Sequence, residues 1–172
     1  MNENKKSGHI LFIEDDENII EAYECVLEDT DIEYKIVTNG KDALKELNNN
    51  PNFDAIFLDQ RIIGKYSGTD LLREFMKIEK AKLIPIVFCS AQWPAFTMKE
   101  FIFESPVVNY FSKPFKRQAF IDIMNRVINR ENLGEIRREV IKQIIQHKDL
   151  EKLHVVSDFE EFVYFDWSFL VL

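Results

Sequence analysis

The sequence predicts an α/β fold in which a parallel β-sheet is covered by helices on both faces. Between residues 9 and 130, a short apolar run is followed by a helical stretch five times. The apolar runs, such as FDAIFLD and LIPIVFCS, are nearly continuous, which is typical of strands that are buried on both faces. Strands joined through helices form right-handed parallel units, so the pattern predicts a doubly wound sheet of five strands.

Each strand is predicted from an apolar run that ends at a turn signal or at polar residues. Asn39-Gly40, for example, is a turn dipeptide that closes the second run. The expected strands are residues 9–14, 33–39, 53–59, 83–90 and 107–111.

The helices are predicted from apolar residues that recur at helical spacing. In residues 69–80, this spacing places Leu71, Leu72 and Phe75 on one face. A weaker pattern follows Pro94, a residue that is tolerated in the first turn of a helix. The expected helices are residues 17–29, 41–49, 69–80, 95–104 and 116–130.

The chain has 172 residues, which suits one domain with an extension. We expect a flexible N-terminus at residues 1–8, a domain at residues 9–130 and a C-terminal extension at residues 131–172. Apolar residues at helical spacing predict a helix at about 135–147 within the extension, separated from the preceding helix by Gly134. The aromatic, acidic tail that follows is expected to pack on the domain or to form an interface.

Composition narrows the class of protein. A net charge of −8 argues against the broad basic surface that nucleic-acid backbones require. Cys25 and Cys89 are isolated, and a disulfide between them is not expected in a reducing compartment. The polar N-terminus lacks an apolar signal core, and no apolar run approaches the roughly 20 residues of a membrane helix. We therefore expect a cytoplasmic protein that does not contact a membrane.

Residues capable of chemistry follow the predicted strands at one end. The first strand ends in Glu14 and Asp15, and the third ends in Asp59. The fourth ends in Ser90, and Lys113 follows the fifth. Because the carboxyl ends of parallel strands share one edge of the sheet, these side chains are expected to converge.

The chemistry of such a cluster is coherent. Carboxylates this close repel one another unless a cation neutralises them, and Mg²⁺ prefers oxygen ligands. A metal ion and the Lys113 ammonium could together stabilise the charge of a phosphoryl group that is transferred to a carboxylate. The Ser90 hydroxyl could donate a hydrogen bond to the product.

Plainer interpretations exist for each residue taken alone. Acids at a helix start favour the helix dipole, and Asp16 is expected to have that role. Asp59 could be a turn residue at a strand end, and Lys113 could be a surface lysine. Their joint occurrence at matching strand ends favours the functional interpretation.

Four segments of the chain resemble segments of a known protein family, and they stand in the same order as in that family. They read HILFIEDDENI, FDAIFLDQR, IPIVFCSA and VVNYFSKPF. Over about residues 8–130, the chain resembles the receiver domains of two-component response regulators. This resemblance implies a flavodoxin-like sheet with strand order 2-1-3-4-5.

The resemblance also implies a role for each site residue. Asp59 would accept the phosphoryl group and bind Mg²⁺. Asp15 would bind the ion directly, Glu14 through a water molecule, and Arg61 through its backbone carbonyl. Lys113 would pair with the phosphoryl group.

A switch is implied as well. Ser90 would move toward the phosphoryl group, and Tyr110 would follow and remodel the surface around the fifth strand, although plain packing of Tyr110 remains an alternative. The loop after Asp59 departs from the family pattern, because it lacks the usual Met-Pro and reaches Gly68 nine residues on. This departure affects loop shape and partner fit. Arg61 and Gln92 flank the site and could tune hydrolysis.

The function implied is a phosphorylation switch. A histidine kinase or phosphotransfer protein would be the donor, and the switch would control binding of an output protein or homodimerisation. The domain would catalyse only its own phosphorylation and dephosphorylation. Residues 131–172 are too short for a usual winged helix, so no nucleic-acid binding is expected from this chain, which could be a fragment of a longer regulator.

Two alternatives stay open. The chain could be a receiver-like binding module that works without phosphorylation. It could also be a Mg²⁺-dependent aspartyl phosphatase, although Glu14-Asp15-Asp16 does not match the Asp-x-Asp pattern of those enzymes.

Overall fold

The computed structural model describes residues 7–91 and 106–146, with side chains described through Glu139. In these ranges, five parallel strands form one sheet in the order β2-β1-β3-β4-β5. The predicted doubly wound, flavodoxin-like sheet is therefore confirmed. The strands are β1 His9–Ile13, β2 Glu33–Val37, β3 Ala55–Asp59, β4 Ile86–Ser90 and β5 Val107–Ser112.

The described helices follow the predicted pattern, but the third of them is shorter than predicted. The predicted helix 69–80 starts at Gly68 and ends at Phe75, and a short 3-10 turn, Ala81–Leu83, leads into β4. After Phe75 the chain tightens, because Ile78 N–H donates to the Phe75 carbonyl three residues back. The helices are α1 Glu17–Leu27, α2 Gly40–Asn49, α3 Gly68–Phe75, α4 Arg117–Ile128 and α5 Leu133–Gln146.

Side-chain caps define where three of these helices begin. Asp16 caps α1 by accepting a hydrogen bond from Asn18 N–H, as expected for an acid at this position. Hydrogen bonds from the Asn18 side chain and backbone lower the pKa of Asp16. Ser67 and Asp70 form a reciprocal capping box at α3. Asn39 caps α2.

Alternate residues of the strands face two separate cores. On one face, Phe12 and Phe57 pack with residues of α1, α4 and α5, and we call this cluster the aromatic core. On the other face, Leu11 and Leu58 pack with residues of α2 and α3, which we call the aliphatic core. This two-sided burial is the physical reason for the continuous apolar runs in the sequence.

The last described helix, α5, packs onto the aromatic core. Leu133 and Ile136 are buried in it. The prediction that Gly134 breaks the chain between helices is wrong, since Gly134 lies inside α5. The turn is made instead by Arg130 and Asn132, which adopt left-handed backbone conformations with φ of 53° and 48°.

Several expectations lie outside the described residues. They are the predicted helix 95–104, Gln92, most of the N-terminal segment and the aromatic tail. Among the residues that the structure does describe, no helix is both long and apolar enough to cross a membrane. Cys25 and Cys89 are both free thiols. The boundaries of the predicted domain and its extension stay a prediction.

Candidate metal and phosphoryl site

The end of β1 brings Glu14 and Asp15 to the middle of the sheet edge. β1 lies between β2 and β3, and Glu14 N–H donates to the Val37 carbonyl at 3.0 Å, which extends the strand pairing by one residue. The Glu14 side chain is buried, whereas Asp15 is half-buried. The pair therefore offers one enclosed carboxylate and one that solvent can reach.

Asp59 is the last residue of β3 and is buried. Its register partner on β4 is Cys89, and its Oδ2 accepts a hydrogen bond from Arg61 N–H at 2.9 Å. Gly68, at the end of the loop that follows, lies directly against the Asp59 backbone. A Cβ at Gly68 would be only 2.3 Å from the Asp59 carbonyl oxygen. Loop closure and strand pairing together fix the backbone of Asp59.

The three carboxylates come together as predicted from the strand ends. Glu14, Asp15 and Asp59 each offer an oxygen, and these oxygens all lie within 4.8 Å of one another. Two ligands on opposite sides of Mg²⁺ are separated by about 4 Å, which is slightly less than this limit, so the cluster could hold such an ion with water between the ion and one of the carboxylates. The donor set contains only oxygen, which suits Mg²⁺ and not a metal that prefers sulfur or nitrogen.

Lys113 supplies the one ammonium described within this cluster. It follows β5, and its N–H donates to the Ser90 carbonyl at 2.8 Å, which holds the start of the loop against β4. Its Nζ donates to Glu14 Oε2 and, at 2.9 Å, to Asp59 Oδ1. The Lys113–Pro114 peptide bond is cis. The Lys113 side chain is thus shared between two buried acids.

Burial and the contacts of Lys113 with two acids both shift pKa values at this site. Burial raises the pKa of Glu14, and the hydrogen bond and charge of Lys113 only partly oppose this. For Lys113, burial acts to lower the pKa, but the hydrogen bonds to Asp59 and Glu14 outweigh it and raise the pKa overall. Both directions agree with three carboxylates facing one ammonium. A divalent cation would relieve the imbalance.

Ser90 and Tyr110 lie beside one another next to this cluster. Ser90 is the last residue of β4 and is 2% exposed. Tyr110 on β5 is half-buried against the aliphatic core, and its side chain is hydrogen-bonded to that of Ser90. Burial raises the pKa of Tyr110 to about 12, so its hydroxyl is neutral at physiological pH. The two predicted switch residues are therefore in direct contact.

The loop after Asp59 contacts the site through its backbone. Ile63 N–H donates to Asp15 Oδ2 at 3.2 Å, while the Ile63 side chain is 77% exposed. Ile62 is buried in the aliphatic core. Arg61 contacts Asp59 through its N–H, and the metal-ligand role of its carbonyl stays a prediction.

Tyr23 is a site residue that the sequence interpretation misses. Helical spacing assigns it only to the apolar face of α1, yet its hydroxyl donates to Glu14 Oε2 at 3.3 Å. The hydroxyl of a buried tyrosine usually has a hydrogen-bond partner, and this general rule is the signal that the sequence offers for such a contact. The sequence alone does not indicate which acceptor the hydroxyl reaches.

The chain is similar to known proteins in both sequence and fold. The family model described as "Response regulator receiver domain" matches residues 10–125. A curated relative, described as the probable transcriptional regulator ycf29 of Porphyra purpurea, is 29% identical over 130 residues. That match covers 74% of this chain, and the chain spans 60% of the relative's length.

Solved structures share the same architecture. The receiver domain of a sensor histidine kinase from Pseudomonas aeruginosa, described with a magnesium ion in its active-site cleft, is 24% identical with a TM-score of 0.63. The match covers 72% of this chain and 98% of that one. A response regulator receiver domain from Francisella is 26% identical with a TM-score of 0.61, covering 72% of this chain and 98% of the other.

Proposed function

Because the chain belongs to the response regulator receiver domain family, we propose that it accepts a phosphoryl group on Asp59 in a Mg²⁺-dependent step. Receiver domains are signalling phosphoacceptors of two-component systems. The observation that carries the proposal is the meeting of Glu14, Asp15 and Asp59 within 4.8 Å, with Lys113 bonded to two of them.

The residues divide the chemistry among them. Asp15 and Asp59 would bind the ion directly and Glu14 through a water molecule, with the Arg61 carbonyl as a further ligand. When bound, Mg²⁺ would neutralise charge on the phosphoryl oxygens. Lys113 would turn from the acids toward the incoming phosphoryl group and add a second positive charge.

The transfer itself is a displacement at phosphorus. An oxygen of Asp59 forms a bond to the phosphorus while the phosphorus–nitrogen bond of a phosphohistidine donor breaks. The leaving imidazole keeps the bonding electron pair and is neutralised by a proton. The donor is a histidine kinase or a phosphotransfer protein.

The Ser90–Tyr110 contact suggests how the modification is transmitted. A phosphoryl group on Asp59 has oxygens that can accept a hydrogen bond from the Ser90 hydroxyl. Ser90 would then give up its hydrogen bond with Tyr110. Tyr110 would repack at the edge strand β5, and this surface would bind an output protein or a second copy of the chain. A switch of this kind shifts the balance between two packings that already exist.

The test is direct phosphorylation. The purified chain is incubated with Mg²⁺ and a small phosphodonor such as phosphoramidate, and the modified residue is located by mass spectrometry. We expect one phosphoryl group on Asp59, none in Asp59→Asn, and normal uptake in the surface control Asp31→Asn. Uptake that persists in Asp59→Asn would overturn the assignment.

The same experiment separates the alternatives. Mg²⁺ binding without phosphoryl uptake would indicate a receiver-like binding module. Repeated turnover of small phosphate esters would indicate a phosphatase.

A further inference from the structure

We propose that Tyr23 is a positioning residue whose hydroxyl holds the Glu14 carboxylate in place, above all when Lys113 turns away to the phosphoryl group. The hydroxyl lies 3.3 Å from Glu14 Oε2. Both residues are only 1% exposed, so water does not compete for this contact. The inference rests on the proposed function for the role of Lys113, but the Tyr23 contact itself does not depend on phosphorylation.

The Tyr23 ring is held firmly enough for such a role. It stacks on Phe120 with ring centres 5.1 Å apart and on Phe115 with centres 5.7 Å apart. Phe12 packs against it at 4.9 Å, and the hydroxyl also contacts the Cys89 thiol. Aromatic neighbours on several sides therefore fix the direction in which the hydroxyl points.

Glu14 has few other partners. Besides Lys113 and Tyr23, its carboxylate accepts a long hydrogen bond of 3.4 Å from Asp16 N–H. Lys113 is shared with Asp59, at 2.9 Å from Oδ1. If Lys113 follows the phosphoryl group, Glu14 depends on Tyr23 for its side-chain hydrogen bond. Leaving a buried carboxylate without partners is costly, so the Tyr23 hydroxyl keeps Glu14 ordered for the metal-bound water.

The hydroxyl can be separated from the ring. A phenylalanine would make the same aromatic contacts, so packing alone does not require tyrosine at this position. Tyr23→Phe removes the hydroxyl and leaves the ring in the aromatic core. Tyr34→Phe is the matched control, because Tyr34 also contacts Phe12 but is 40% exposed on β2.

The experiment is a Mg²⁺ titration of the full chain without phosphodonor, by calorimetry. We expect Tyr23→Phe to weaken Mg²⁺ binding by about three- to tenfold, the range that corresponds to the loss of one ordinary hydrogen bond. Tyr34→Phe should bind like the parent chain. Parent-like Mg²⁺ affinity in Tyr23→Phe would overturn the proposal, and a lower melting temperature with unchanged affinity would assign the Tyr23 hydroxyl to folding stability alone.

A double-mutant cycle tests the dependence on Lys113. In a Lys113→Met background, Glu14 already lacks the ammonium, so removing the Tyr23 hydroxyl should reduce Mg²⁺ affinity more than it does in the parent. Equal losses in both backgrounds would refute the idea that Tyr23 takes over from Lys113. A parent chain that binds Mg²⁺ but takes up no phosphoryl group would overturn the proposed function while leaving the Tyr23 titration interpretable.

Discussion

Lys113 and Asp59 are 54 residues apart in the chain, yet the Lys113 ammonium lies 2.9 Å from Asp59 Oδ1. Both side chains are only 9% exposed. The same ammonium donates to Glu14, so one cation holds together two strand ends that would otherwise repel. Removing that cation should therefore have consequences for both folding and metal binding.

Lys113→Met should destabilise the metal-free protein by about 3 kcal/mol, the cost of leaving buried charges without their partner. Mg²⁺ should restore more stability to this variant than to the parent, because the ion replaces the missing positive charge. Urea unfolding with and without Mg²⁺ measures both effects.

A surface ion pair provides the control for that measurement. Lys35 bonds Glu46 at 2.7 Å, but the Lys35 side chain is 47% exposed. Lys35→Met should therefore cost no more than about 1 kcal/mol and should not change the response to Mg²⁺. Similar losses in the two variants would contradict the view that Lys113 is a buried, essential counter-ion.

Mg²⁺ itself should stabilise the folded chain, since only the folded state gathers the three carboxylates. At a Mg²⁺ concentration about 100 times the dissociation constant, the expected gain is about 2.7 kcal/mol. Asp15→Asn should lose most of this gain because a proposed direct ligand is removed. Asp16→Asn should keep it, since asparagine also caps a helix. Equal Mg²⁺ responses in the two variants would argue against Asp15 as a ligand. Thermal melts at several Mg²⁺ concentrations would show the difference.

The sequence predicts that the acidic side chains lie close together, but it does not predict the side-chain contacts that hold them in place. A parallel sheet places strand ends on one edge whatever the loops do, so Glu14, Asp59 and Lys113 can be assigned from their positions alone. The Tyr23 contact depends on where a phenol oxygen ends within the aromatic core. Helical spacing assigns Tyr23 to a face, but it does not specify that atom's neighbours.

Turns are the least predictable part for a similar reason. Glycine favours unusual backbone angles, and Gly134 is therefore the residue that the sequence predicts between the last two described helices. Arg130 and Asn132 adopt those angles instead, and packing of Leu133 on the aromatic core fixes where α5 starts. Tertiary contacts, which single-residue preferences do not include, decide the outcome.

Gly68→Ala should impair phosphoryl uptake, although it changes no charged side chain. A Cβ at this position would lie 2.3 Å from the Asp59 carbonyl oxygen and 2.9 Å from the Gln60 Cα, so the Asp59 backbone would have to shift. We expect a loss of stability of about 1–3 kcal/mol and slower phosphorylation by phosphoramidate.

Gly134→Ala is the matched control for this substitution. Gly134 lies inside α5, and a Cβ added there would meet nothing within 4 Å, so alanine should stabilise the helix by roughly 0.5–1 kcal/mol. Its phosphorylation rate should match the parent. A Gly68→Ala variant with parent-like kinetics would show that the Asp59 backbone tolerates displacement.

Ile136→Ala should destabilise the domain by about 2–5 kcal/mol, as large-to-small changes in a core do. Ile136 is 1% exposed and belongs to the aromatic core with residues of the sheet. The exposed Leu83→Ala should change the urea midpoint far less, because Leu83 is 54% exposed. A small effect of Ile136→Ala would mean that α5 is not docked in solution. A chain truncated after Arg130 would lack Leu133 and Ile136. Its mass in solution, measured by light scattering, would therefore report on folding as well as on self-association.

The two thiols should differ in reactivity across the pH range. Burial raises the pKa of Cys89 to about 12, whereas Cys25 is exposed. A thiol reagent at about pH 7–8 should therefore modify Cys25 in the folded chain, and both cysteines in urea. Because the folded pKa of Cys89 lies above its ordinary value of 9.0, its contribution to stability is complete below about pH 9 and is lost as the pH rises toward 12. Cys89→Ala should reduce the loss of stability at alkaline pH, and Cys25→Ala should not. Rapid modification of Cys89 at neutral pH would instead show that the β4 end opens readily, which would also expose Ser90.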